Sequence, residues 1–74
     1  YVLTPLVEAQ IPDQMKVHGM DRETVIRDVM LLRQPSRQFA TTEQIGGTVD
    51  YLCSPHADQV TGTTISVDGG WTAL

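Results

Sequence analysis

Cysteine occurs once in these 74 residues, at Cys53, so no internal disulfide can form. No Cys/His cluster with zinc spacing takes its place, and no metal site is expected. A lone cysteine inside a helical pattern reads as a small buried apolar residue, and it fits a reducing, cytoplasmic setting. Basic residues are also scarce, five Lys and Arg against nine Asp and Glu, for a net charge of −4. They are scattered, which argues against the clustered cationic surface that nucleic acid or an anionic membrane requires. No apolar run approaches the ~20 residues needed to span a bilayer, and no signal-peptide pattern opens the chain.

A second strand is missing as well. The stretch Thr63-Thr64-Ile65-Ser66-Val67 is β-rich, with Thr61-Gly62 as a turn before it and Asp68-Gly69-Gly70 after it. One strand cannot satisfy its own N–H and C=O groups, and nothing else in the sequence reads as its partner. A chain of this length also buries only about 60% of the surface it exposes when unfolded. The sequence therefore reads as the closing segment of a larger α/β fold. With Tyr1 rather than Met as its first residue, the true start is expected upstream.

What is present is a series of helical signals. Thr4 suits an N-cap and Pro5 the first helical position, and Leu6, Val7, Ile11 and Met15 follow as an apolar face. Pro12 interrupts this face, so 4–18 is expected as two short helical pieces with a bend, ending at Gly19. Asp21 caps a second helix carrying Val25, Ile26, Val29, Met30 and Leu32, which Pro35 stops after Arg33. The third, at 41–54, opens with the capping box Thr41-Thr42-Glu43-Gln44. Its apolar stripe is Ile45, Val49, Leu52 and Cys53. Gly46 and Gly47, each about 1 kcal/mol worse than Ala in a helix, mark a place where another backbone comes close.

Three of these pieces together resemble the C-terminal part of the short-chain dehydrogenase/reductase family. YVLTP matches the family's PG-x-V-x-T loop from its third position, ATTEQIGGTVDYLCS its last helix, and TGTTISVDGGW its closing TG-x-x-x-x-V-DGG segment. The fold the resemblance implies is a doubly wound parallel sheet of Rossmann type with helices on both faces. In it, 1–35 would be the substrate-binding lobe, 41–54 the last helix, 63–67 the last strand and 68–74 the tail. Within the family, TPLVEAQIP, the long helical insert and DGGWTAL are most similar to the bacterial branch that interconverts D-3-hydroxybutyrate and acetoacetate.

The resemblance also assigns roles. Val2 through its main chain, Thr4 through its hydroxyl and Leu6 at the start of the helix would contact NAD. A loop leading into a helix N-terminus suits both a carboxamide and phosphates. Gln10 would offer its amide to the carboxylate of a small hydroxy acid without adding a charge to desolvate. Trp71 would wall the pocket against the substrate methyl. The last helix and strand would build one two-fold interface of a homotetramer, and an assembly segment is the alternative reading of the chain.

The remaining candidates read more plainly. His18 and His56 lie in polar stretches as surface residues, Met15, Met20 and Met30 as lobe packing, and Asp13, Glu23 and Asp28 as a solvated face. Asp68 fixes the turn after the strand. Asp50 stands beside the apolar stripe where the family often has an apolar residue. The family's Gly-rich loop and its Asn, Ser, Tyr and Lys catalytic set have no counterpart here. Tyr1, Tyr51 and Lys16 lie outside a Tyr-x-x-x-Lys context. No catalytic residue is assigned, and this segment alone is expected to be inactive.

Overall fold

Thr4 begins the first helix in the expected way: its Oγ1 accepts from the Val7 N–H at 3.3 Å, and α1 runs Pro5–His18 before Gly19 caps it in the left-handed region. The computed structural model describes residues 1–73. Here Pro12 corrects the expectation of two pieces, because α1 is continuous through it. Proline in a helix interior costs about 3 kcal/mol. Pro12 and Glu8 both lie on the exposed side, so the Glu8 carbonyl that Pro12 leaves without a donor faces water. On the other side Ile11 is fully buried, with Val7 and Met15 packed beside it. Complete burial of a side chain such as Ile11 stabilises by about 1.5–3 kcal/mol, and the partly buried Val7 and Met15 add to it, which offsets the proline.

Asp21 caps α2, Arg22–Val25, by accepting from the Thr24 N–H at 2.8 Å. That bonding to Thr24 also holds the Asp21 carboxyl below its ordinary range. A π-turn, Ile26–Met30, follows directly and is closed by the Leu31 N–H donating to the Ile26 carbonyl at 2.8 Å. This revises the expected helix to Arg33. Helical structure ends at Met30, and the extra residue per turn rotates Leu31 inward in place of Leu32. Leu31 is fully buried while Leu32 is exposed. Ile11, Val25, Met30 and Leu31 form the core of the lobe, with Leu3, Val29 and Phe39 among those packed around it. An exposed ion pair, Arg22 to Glu8 at 2.5 Å, bridges α1 and α2, and such pairs contribute only ~0–1 kcal/mol.

The lobe is closed at its base by a single parallel β-bridge between Val2 and Ala40. Leu3 N–H donates to the Ala40 carbonyl and Ala40 N–H to the Tyr1 carbonyl, both at 2.9 Å. One residue later Thr41 opens α3, Thr42–Leu52, with both halves of the capping box formed: Gln44 N–H to Thr41 Oγ1 at 3.0 Å and Thr41 N–H to Gln44 Oε1 at 2.9 Å. No residue of α3 is buried. Val49, Tyr51 and Leu52 are exposed, and Cys53, expected inside, is exposed too. Space is open around Gly46 and Gly47, so among the described residues the close backbone expected there is not found.

Residues 63–67 carry no strand pairing, and among the described residues there is no strand beyond the Val2–Ala40 bridge. The physical reason is the missing neighbour: a strand exists only as part of a ladder. Two measures show the same lack. The radius of gyration is 15.3 Å, against about 11 Å for a compact chain of this length. The accessible surface is 5496 Å², roughly a fifth above that of a folded monomer of this mass.

Candidate functional site

Two groups of site residues come together at the base of the lobe. The first is Val2 and Thr4. The bridge uses the Tyr1 carbonyl, the Leu3 N–H and both polar groups of Ala40. In a parallel ladder the N–H and C=O of Val2 therefore point the other way, away from Ala40. Thr4 follows at the head of α1, its hydroxyl oxygen accepting from Val7 and its hydroxyl proton still available. An N–H and a C=O on one open side of a residue, beside a hydroxyl at a helix N-terminus, can hold a carboxamide or another small polar group. Leu6 does not join them by its side chain, which is 70% exposed.

The second group is aromatic. The Tyr1 ring stands edge-on to Phe39 at 6.1 Å between centroids and tilted against Trp71 at 6.4 Å. Tyr1, Trp71, Asp68 and Thr72 line an open hollow of about 500 Å³. Asp68 is fully engaged there: its carboxylate accepts from the N–H groups of Gly70 and Thr72 and from the Thr72 hydroxyl. The Thr72 hydroxyl is the strongest of the influences holding its carboxyl below the ordinary range. An ionised, already bonded carboxylate in the lining of the hollow repels another carboxylate and leaves the two rings to meet an apolar group. Asp68 fixes the turn, as its sequence context predicted.

Gln10 stands apart. It is exposed on α1, four residues beyond Leu6 on the same helical stripe, and is not among the residues around the hollow. His18 and His56 are exposed. Among the described residues no three His, Cys, Asp or Glu side chains cluster as metal ligands. No helix there is long and apolar enough to cross a membrane.

One residue was not visible in the sequence at all. Among the described residues Gln34 is the one polar side chain that is buried, 1% exposed. Its Oε1 accepts at 3.3 Å from the Tyr1 backbone nitrogen, here a terminal ammonium and a peptide N–H wherever a residue precedes Tyr1, and its Nε2 donates to Ser36 Oγ at 3.2 Å and to the Gln38 carbonyl. Nothing about a glutamine before Pro35 announces burial.

Residues 6–72 match the family described as Enoyl-(Acyl carrier protein) reductase, a short-chain dehydrogenase/reductase group. The chain is 55% identical over 73 residues to the D-beta-hydroxybutyrate dehydrogenase of Rhizobium meliloti, covering 99% of this chain and 28% of that protein. The chain belongs to the short-chain dehydrogenase/reductase family. A second relative, the D-beta-hydroxybutyrate dehydrogenase of Cupriavidus necator, is 40% identical over the same 99% of the chain and 28% of its own length. A tropinone reductase homologue of Datura stramonium is 37% identical over 93% of the chain and 23% of its own length. Short-chain dehydrogenase/reductases have a Rossmann-type fold, and this chain spans only 28% of the two hydroxybutyrate dehydrogenases. The short-chain dehydrogenase/reductases to which this chain belongs are an oxidoreductase family.

Proposed function

We propose that this chain supplies the substrate-binding lobe, part of the nicotinamide site and the last strand of an NAD-dependent dehydrogenase interconverting D-3-hydroxybutyrate and acetoacetate. The observation that carries the reading is likeness along nearly the whole chain to two proteins named for that activity. The open N–H and C=O of Val2 and the Thr4 hydroxyl suit the carboxamide of NAD, and the start of α1 suits its phosphates. When bound, NAD supplies the hydride acceptor. The chain's own contribution is binding and orientation. Gln10 donates to the substrate carboxylate, and Trp71 with Tyr1 receives the methyl end, where Asp68 turns a carboxylate away. Both the residues that move the proton and the dinucleotide cradle belong to the remainder of the dehydrogenase, in a cytoplasmic enzyme.

A chimera tests this: the chain replaces its matched 73 residues in the Rhizobium meliloti enzyme. It should oxidise D-3-hydroxybutyrate with NAD at a kcat within about tenfold of the parent. A folded chimera that turns over no hydroxybutyrate would sink the reading. The 74-residue chain alone should show no turnover, because positioning without a proton-transfer group does not replace it.

The bare face of α3 favours a second role beside the first. Gln44, Gly47, Thr48, Tyr51, Ile65 and Val67 line an apolar groove, and Val49 and Leu52 are exposed on the same helix. We read this face as the two-fold contact of a homotetramer. Light scattering on a Val49→Arg chimera should show a smaller assembly, and an unchanged tetramer would refute it.

A further inference from the structure

Gln34 has every polar group in use. Its backbone N–H donates to the Leu31 carbonyl at 3.0 Å and its carbonyl accepts from Arg37 at 2.9 Å. Its side chain reaches the Tyr1 nitrogen on one side and Ser36 and Gln38 on the other. A buried amide with all its partners is expensive to disturb, because removing it strands each of them.

The same side chain touches the tail. Gly69 is left-handed, with φ 61°, and a Cβ there would lie 2.5 Å from Gln34 Nε2 and 2.3 Å from Ser36 Oγ. The Ser36 N–H donates to the Gly69 carbonyl at 2.9 Å. The Pro35 ring lies against Gly70, where a Cβ would meet it at 3.1 Å. Residues 34–36 thus form a seat for the Gly-Gly turn, and Trp71 is the next residue along.

We propose that Gln34 is a positioning residue for substrate: it sets the distance between the Tyr1 and Trp71 rings, the two walls of the hollow. One side chain fixes both: the turn bearing Trp71 through the Gly69 contact, and Tyr1 through Oε1, which takes the bond from the Tyr1 backbone nitrogen, in the chimera a peptide N–H on the same side as the Tyr1 carbonyl that meets Ala40. This rests on the reading that the hollow receives the methyl end of the substrate. It adds a determinant that touches neither substrate nor cofactor.

The test uses the chimeric dehydrogenase. In Gln34→Leu, the KM for D-3-hydroxybutyrate should rise roughly tenfold while the KM for NAD stays within about twofold. Trp71 emission, isolated by subtracting a Trp71→Phe chimera, should become more accessible to acrylamide. Should Gln34→Leu fail to fold, Gln34→Glu is the second variant. It keeps the size and the acceptor toward Tyr1 but sets an oxygen against the Gln38 carbonyl, and should shift both readings in the same direction. A fall in Tm with KM and quenching unchanged would mean a purely structural role and overturn the proposal. Trp71→Ala tests the underlying reading separately. If it leaves the hydroxybutyrate KM unchanged, the pocket reading falls and the proposal with it. If it raises that KM and the Gln34 variants do not, the pocket stands and the positioning role is overturned.

Discussion

One oxygen of Asp68 binds Thr72 twice: Oδ2 accepts from the Thr72 hydroxyl at 2.6 Å and from its N–H at 3.1 Å. Both bonds favour the ionised carboxylate, as does the Gly70 N–H on Oδ1. The folded pKa therefore lies below the unfolded one. Asp68 contributes stability above the ordinary carboxylate value of about 3.9, and that contribution is lost as pH falls through the lowered value. In the chimera, Asp68→Asn should lower Tm at pH 7, and the gap from the parent should close as the pH drops below about 4. A gap that stays constant across thermal melts from pH 7 to 3 would contradict the assignment.

Thr4 serves α1 and, on the proposed function, NAD. Thr4→Ala removes the acceptor for Val7 and should cost about 0.5–2 kcal/mol of lobe stability. It should also raise the KM for NAD, while Thr4→Ser restores both. If Thr4→Ala lowers stability and leaves the NAD KM alone, Thr4 is a cap and nothing more.

Gln10 separates binding from stability. Its side chain is exposed, so Gln10→Ala should shift stability by less than about 0.5 kcal/mol. Loss of a donor to a carboxylate is worth about 1.5–3 kcal/mol, so the KM for D-3-hydroxybutyrate should rise roughly ten- to a hundredfold. Steady-state kinetics beside a melting curve decide it, and an unchanged KM returns Gln10 to the surface.

Ile11 sits at the centre of the lobe core. Ile11→Ala should destabilise the lobe by about 2–5 kcal/mol, whereas Leu6→Ala, at an exposed position, should have little effect. Hydrogen exchange of the α1 amides is the measure, since the lobe can open without the rest of the protein. Equal protection in the two variants would contradict the packing described above.

The sequence was most readable where structure is local. Thr4, Asp21 and the Thr41–Gln44 box each cap their own helix, and each is found in place. Pro12 misled because its local penalty is set against the burial of Ile11, which depends on α2 and the π-turn. The π-turn itself has no sequence mark, so the inward turn of Leu31 could not be read. Cys53 and the α3 stripe follow a helical period, which places apolar residues on one side of a helix but does not say that the side is covered, and Cys53 is exposed. In the site, Val2, Thr4 and Trp71 were named through family resemblance, while Gln34 escaped because its burial comes from residues far along the chain.

The lone bridge between Val2 and Ala40 makes the lobe a detour whose two ends meet at one doorway. Everything between them can change length while the doorway stays shut, because each doubling of a flexible loop adds only about 0.6 kcal/mol to the cost of closing it. Outside the detour, Thr41 starts α3 one residue beyond the bridge. A lobe built this way can be resized above the doorway without retuning the floor beneath it.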